Sequence, residues 1–108
     1  MPARAGANMI RGDTMPLFRV KGKNLYINGL KVIKAYESFN GWYWFVIDFV
    51  QRQDTVINGK IHKDDVIVYG LVQGTCEEWG DFSLAEVESM KPRVWEIPKK
   101  DLIYAGRR

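Results

Sequence analysis

The sequence predicts an α+β fold: an antiparallel β-meander of four to five strands with one short helix (about 83–91) and a C-terminal strand. Three observations carry that expectation. Asn-Gly recurs at 28–29, 40–41 and 58–59, each time between apolar runs. The run WYWFVIDFV at 42–50 is apolar on both of its alternating faces. Ser83-Leu84-Ala85-Glu86 has the form of a helix capping box and stands before a short apolar-periodic stretch that Lys91-Pro92 ends.

Asn-Gly is a strong hairpin signal, because both central residues of a type I′ turn need positive φ. The three dipeptides divide the chain into strands at 17–27, 30–39, 42–57 and 60–75, with breaks expected at Gly22 and around 52–56. Two-residue turns fix register. Phe39 should then oppose Trp42, Ala35 oppose Val46, and Ile33 oppose Asp48. Across the third turn an unbulged ladder sets Tyr69 opposite Asp48, Gly70 opposite Ile47 and Gly74 opposite Tyr43.

A strand apolar on both faces belongs inside a sheet. One face should hold Tyr43, Phe45, Ile47 and Phe49 with Val32, Val68 and Val72. The other should hold Trp42, Trp44, Val46, Asp48 and Val50 beside Glu37, Tyr69, Leu71 and Gln73. The helix, with Ser83 as N-cap and Leu84, Val87 and Met90 as its apolar stripe, covers one face. The segment 94–106 supplies an edge strand or crosses the second face. Residues 1–14 show no periodicity and read as a flexible N-terminal segment ahead of one globular domain, 15–108.

Composition narrows the function classes. No run of about 18 apolar residues exists, so no membrane span is expected. No apolar signal core follows the N-terminus. With one cysteine, Cys76, and one histidine, His62, the chain has neither an internal disulfide nor a zinc ligand set. A cytoplasmic location follows as the expectation. Charge is segregated: the chain is net +3, yet residues 70–90 hold five acids and no Lys or Arg. Glu86 serves the capping box, and Asp81 gains from the helix dipole. Glu77 and Glu78, placed by this reading in a loop, are explained less well.

The stretch YGLVQGTCEEWGDFSLAEVESM resembles an uncharacterised family of small proteins common on plasmids and other mobile elements. Gly70-Leu71-Val72, Glu78-Trp79-Gly80-Asp81-Phe82-Ser83-Leu84 and Glu86 carry the match. GWYWFVIDF is similar to the family's Trp-rich strand, and KKDLIY at 99–104 to its closing strand. Asp81 departs from a usual aromatic, and the hairpin at 52–64 is longer. The resemblance covers roughly residues 30–104 and implies one compact domain of mobile-element origin, with no activity attached.

No catalytic residues, cofactor or metal site are expected. His62 lies three residues past a turn and reads as solvent-exposed. Asp48 in its apolar strand calls for a hydrogen-bond partner such as Tyr69 or backbone. Asp48 with Glu77, Glu78 or Asp81 lacks the spacing of a divalent-metal loop. The function expected is a small non-catalytic binding module for a protein partner or a second copy of itself. Its candidate face is Trp42, Trp44, Asp48 and Tyr69, rimmed by Glu77, Glu78, Trp79 and Asp81. The alternative is electrostatic nucleic-acid binding through Arg19, Lys21, Lys23, Lys31, Lys34, Lys99 and Lys100. Gly41-Trp42-Tyr43-Trp44 resembles the aromatic strand of RNA-recognition domains. However, Tyr43 stands where that motif needs Gly or Ala.

Overall fold

The structure, a computed structural model, describes residues 16–105. The N-terminal segment 1–14 lies outside the described residues. Phe18–Lys21 (β1), Asn24–Ile27 (β2) and Leu30–Lys31 (β3) form a small antiparallel sheet in that order. Lys34–Ser38 (β4), Tyr43–Ile57 (β5), Lys60–Gln73 (β6), Glu77–Ser83 (β7) and Val94–Glu96 (β8) form a second sheet, ordered β7-β6-β5-β4-β8. Its pairings are all antiparallel. Leu84–Glu88 (α1) follows β7, and a 3-10 turn at Lys99–Asp101 leads into Leu102–Ala105 (α2).

The α+β class and the meander at its centre match the sequence-based expectation, and the finer architecture differs in four places. Among the described residues there are eight strands in two sheets, where one meander of four to five was expected. The acidic stretch from Glu77 is a strand, not a loop. The helix is shorter than 83–91. The segment 99–104 is helical, whereas the resemblance implied a strand there. The C-terminal segment takes both routes open to it, with β8 as an edge strand and α2 packed on β2.

Two of the Asn-Gly turns form as expected: Asn28 and Gly29 have φ of 52° and 82°, Asn58 and Gly59 52° and 77°. The middle one does not. Only Gly41 is left-handed there, and Ser38 donates its amide to the Trp42 carbonyl, so three residues make the loop. A three-residue loop of this kind is a type I turn followed by a left-handed residue. The extra residue shifts the register by one, pairing Ala35 with Phe45 and Tyr36 with Trp44.

The β5–β6 ladder is bulged three times. Ile47 and Val50 are extra on β5, and β6 carries an extra residue at Lys63–Asp64, where Asp64 is left-handed. Asp48 does oppose Tyr69, but inward of the Ile47 bulge Gly70 meets Val46 and Gln73 meets Tyr43. A one-residue slip exchanges the faces. Val68 and Val72 therefore fall on the Trp44 side. Glu37, Tyr69, Leu71 and Gln73, expected beside the tryptophans, share the Phe45 side with Asp48.

The five-stranded sheet is the middle of three layers. On one face Tyr43, Phe45, Ala35 and Leu71 pack against Leu25 and Ile27 of the small sheet, against Val32 just past it, and against Ile97, Leu102 and Ala105. On the other, Tyr36, Trp44 and Val72 pack against Val87 of α1, Phe82 and Val94. Each fully buried large side chain, such as Phe45, stabilises by about 1.5–3 kcal/mol. Beyond Asp65 the hairpin leaves these layers as a two-stranded arm, with Val56 and Ile61 exposed. Such a ribbon is marginally stable alone. Amide exchange should therefore be slowest at 44–46, flanked by β4 and β6, and fast at 54–62. Uniform protection along β5 would contradict the arm.

Candidate functional site

The candidate face splits across the sheet. Trp42 and Trp44 lie on the α1 side, with ring centroids 5.9 Å apart. Glu78, paired with Val72, shares that side. Asp48, Tyr69 and Asp81 form one cross-strand row on the opposite side, which also holds Trp79 and Glu77. Tyr69 is buried and stacks on Trp79 at 6.0 Å, and Asp48 accepts the Phe49 amide at 2.9 Å. These groups therefore do not form one surface.

What the structure does assemble is a groove beside Trp42. Ser38 is buried, its hydroxyl bonded to Asn40 and accepting the Trp42 amide at 3.0 Å. That pins the loop and swings Phe39 outward, 71% exposed. Phe39 in turn donates its amide to the Arg93 carbonyl, tying the loop to the segment between α1 and β8. Trp42 lies over Gly74, where a Cβ would come within 2.4 Å of its ring. The result is a cavity of about 350 Å³ lined by Phe39, Trp42, Trp44, Met90, Arg93 and Asn40, among others. Trp44 forms its buried floor, and Phe39 and Met90 its exposed rims. It offers an apolar, aromatic surface with one cation and one amide at its border.

The helix that walls this side is held by a group that the sequence reading did not single out. Asp65 is only 5% exposed. Its carboxylate accepts the Ser83 hydroxyl at 2.5 Å, the Thr55 hydroxyl at 2.7 Å and the Ala85 amide at 2.9 Å. Ser83 accepts the Glu86 amide at 3.0 Å, as the capping box requires. Burial alone would push the Asp65 carboxyl up. The Ser83 and Thr55 hydroxyls and the Ala85 and Val66 amides outweigh it and hold the carboxyl below its ordinary value. At the other end of α1, Glu88 accepts the hydroxyl of buried Tyr36 at 2.6 Å. Burial first, then this carboxylate, push the Tyr36 phenol far up, so it stays a donor.

Glu77 and Glu78 are exposed on the edge strand β7, and Glu77 accepts the Gln73 side-chain amide at 2.5 Å. Among the described residues the ion pairs are Lys34–Glu96 and Arg52–Asp64, so these two acids are not paired with any described Lys or Arg. Charge on an exposed edge opposes strand-to-strand aggregation, a role helix energetics did not suggest. The double change Glu77→Gln/Glu78→Gln should leave the thermal transition nearly unchanged. In the wild type, association that uses this rim should be salt-sensitive, and in the variant it should be weaker. Unfolding of the variant would make the pair structural.

Of the alternative phosphate contacts, Lys23, Lys31 and Lys99 line one small cavity of about 140 Å³ between the small sheet and the 3-10 turn. Arg19 and Lys21 lie on β1, Lys100 follows Lys99, and Lys34 is paired to Glu96 at 3.8 Å. Trp44 is buried beneath α1 and cannot stack on a base. Cys76 is exposed, and His62 is half-buried on the arm opposite Thr55 instead of fully exposed. Among the described residues no three His, Cys, Asp or Glu gather as metal ligands, and no helix is long and apolar enough to cross a membrane. Comparison of the chain with protein-family models, curated proteins and solved structures finds no match.

Proposed function

We propose that the chain is a small binding module whose Trp42 groove takes apolar side chains from a protein partner or a second copy. The observation that supports this reading is the groove itself. A cavity of about 350 Å³ with exposed Phe39 and Met90 at its rim is carried on a sheet cored on both faces. Aromatic, Met and Arg side chains in a partly desolvated pocket are the usual composition of interface hot spots. Among the described residues that line it there is no acid–base pair or activated nucleophile, and binding without chemistry is the reading this supports. A cytoplasmic, mobile-element setting belongs to the same proposal and rests on the sequence features alone.

A peptide-display selection on the purified protein tests this. Enriched peptides should carry an aromatic or large aliphatic anchor with an acid nearby to meet Arg93. Trp42→Ala and Phe39→Ala should each lower their affinity by about tenfold or more while the fold persists. Selection of peptides indifferent to both changes would remove the groove from the account.

One observation favours a second reading, nucleic-acid binding: three lysines line a single cavity, with no acid among the described residues that line it. Phosphate contacts make affinity fall steeply with salt. Binding to mixed single-stranded oligonucleotides near physiological salt should be no tighter than about micromolar. Submicromolar binding lost in Lys23→Gln/Lys31→Gln/Lys99→Gln would reverse the order of the two readings.

A further inference from the structure

A second cavity, on the opposite face of the sheet, has a different chemistry. Glu37 of β4 stands between Tyr43 of β5 and Trp95 of β8 in one cross-strand row. The Tyr43 hydroxyl donates to Glu37 Oε2 at 3.1 Å, which fixes that carboxylate between the two rings. The C-terminal segment then crosses this face and adds Asp101 and Tyr104. Together with the apolar Ile97 they enclose about 290 Å³. Val94 and Trp95 are adjacent in β8 and point to opposite faces, so this cavity and the Trp42 groove lie back to back.

We propose that this cavity binds an organic cation, an alkylated or primary ammonium or a guanidinium. Among the described residues three aromatic rings and two carboxylates line it, and no Lys or Arg does, in a chain whose net charge is +3. Among the described residues neither Glu37 nor Asp101 belongs to an ion pair. Ring faces attract a cation through their quadrupole, and sites that recognise quaternary ammonium groups are built from such rings. A hard metal ion is the poorer fit, because it favours a shell of oxygen ligands and aromatic and apolar side chains make up most of this lining. The volume exceeds what an ammonium head alone needs and leaves room for the alkyl stem behind it. The same chemistry is found in a lysine or arginine side chain of another protein and in a free alkylammonium compound.

The indole N–H signal of Trp95 in nitrogen-labelled full-length protein reads binding directly. The probes are choline and its uncharged carbon isostere, in which tert-butyl replaces trimethylammonium. We expect choline to shift the Trp95 signal saturably and the isostere to bind about tenfold more weakly or not at all. Glu37→Gln should weaken choline about fivefold, whereas Trp95→Phe should retain more affinity than Trp95→Leu. Should a Trp95 variant lose its fold, Tyr104→Ala, at a side chain 59% exposed, reads the same loss through the Trp95 indole. Peptides bearing lysine or acetyl-lysine separate the sources. Tighter binding of the lysine peptide than of choline, abolished by acetylation, assigns the cation to a protein, and the reverse assigns it to a small ammonium compound. Equal binding of choline and its isostere, or an unmoved Trp95 signal at saturating probe, overturns the proposal. Neither result bears on the Trp42 groove, which uses none of these side chains.

Discussion

Asp65→Ala should destabilise the protein by about 3–4 kcal/mol, a large part of the roughly 5–15 kcal/mol that holds a domain of this size. The carboxylate is 5% exposed and accepts from the Ser83 and Thr55 hydroxyls and the Ala85 amide. Alanine leaves these donors without their acceptor in a site with little water, at about 1–3 kcal/mol for each one left unsatisfied. It also frees the start of α1 from β6, so the wall over Tyr36, Trp44 and Val72 loosens. The midpoint of thermal unfolding should fall by roughly 15 °C. The same group predicts an acid limb. Its folded-state pKa lies below the ordinary 3.8, so its contribution is complete above about pH 3.8 and disappears as pH falls through the lower, folded value. Asp65→Asn should flatten that limb in denaturation curves recorded between neutral pH and pH 2. An unchanged acid limb would show that other carboxylates set it.

Gly70→Ala should cost more still, about 4 kcal/mol or above, and the variant is expected not to fold at working temperature. A Cβ at this position would lie 1.8 Å from the Phe45 carbonyl oxygen and 2.9 Å from its carbon. Both are backbone atoms of the central strand and cannot rotate away. The close approach sits beside the Ile47 bulge, where Gly70 faces Val46. Gly80, its partner on β7, is the control: nothing lies within 4 Å of a Cβ there, so Gly80→Ala should be nearly neutral. Chemical denaturation of both variants against the wild type gives the comparison. A folded, stable Gly70→Ala would mean that β5 and β6 are further apart at the bulge than described.

The elements most legible in the sequence are those specified by local chemistry. Asn28-Gly29 and Asn58-Gly59 make their turns because both residues accept positive φ, and Ser83 caps α1 through its own hydroxyl. What was not legible depends on distant partners. Asn40-Gly41 reads like the other two, but the Ser38 hydroxyl takes the Trp42 amide and the loop gains a residue. Glu77-Glu78 and Gly80 disfavour a strand locally, and pairing with β6 from Gln73 to Ile67 overrides them. Asp65, in a Lys-Asp-Asp run, looks like solvated turn. Its role exists only because the bulged hairpin brings it to Ser83. The groove was half visible: Trp42 and Trp44 stood out, whereas Phe39, Met90 and Arg93 come from separate segments that only the turn and β8 bring together. Asp48 and Tyr69 read as neighbours of the tryptophans because one extra residue at Ile47 is not legible, and Trp79 reads as rim because Glu77–Ser83 does not read as a strand.

The four tryptophans report directly on whether a partner enters the Trp42 groove, because they mark separate places. Trp42 and Trp44 line the groove, Trp79 lies against the opposite core, and Trp95 stands at the β8 edge. Their indole N–H signals should be followed while a groove-selected peptide is titrated in, at low salt and near physiological salt. The Trp42 signal should move most and the Trp44 signal with it. Trp79 and Trp95 should stay in place, and salt should change the affinity only a few-fold. Movement confined to Trp79 or Trp95, with Trp42 unmoved at saturation, would contradict binding in the groove.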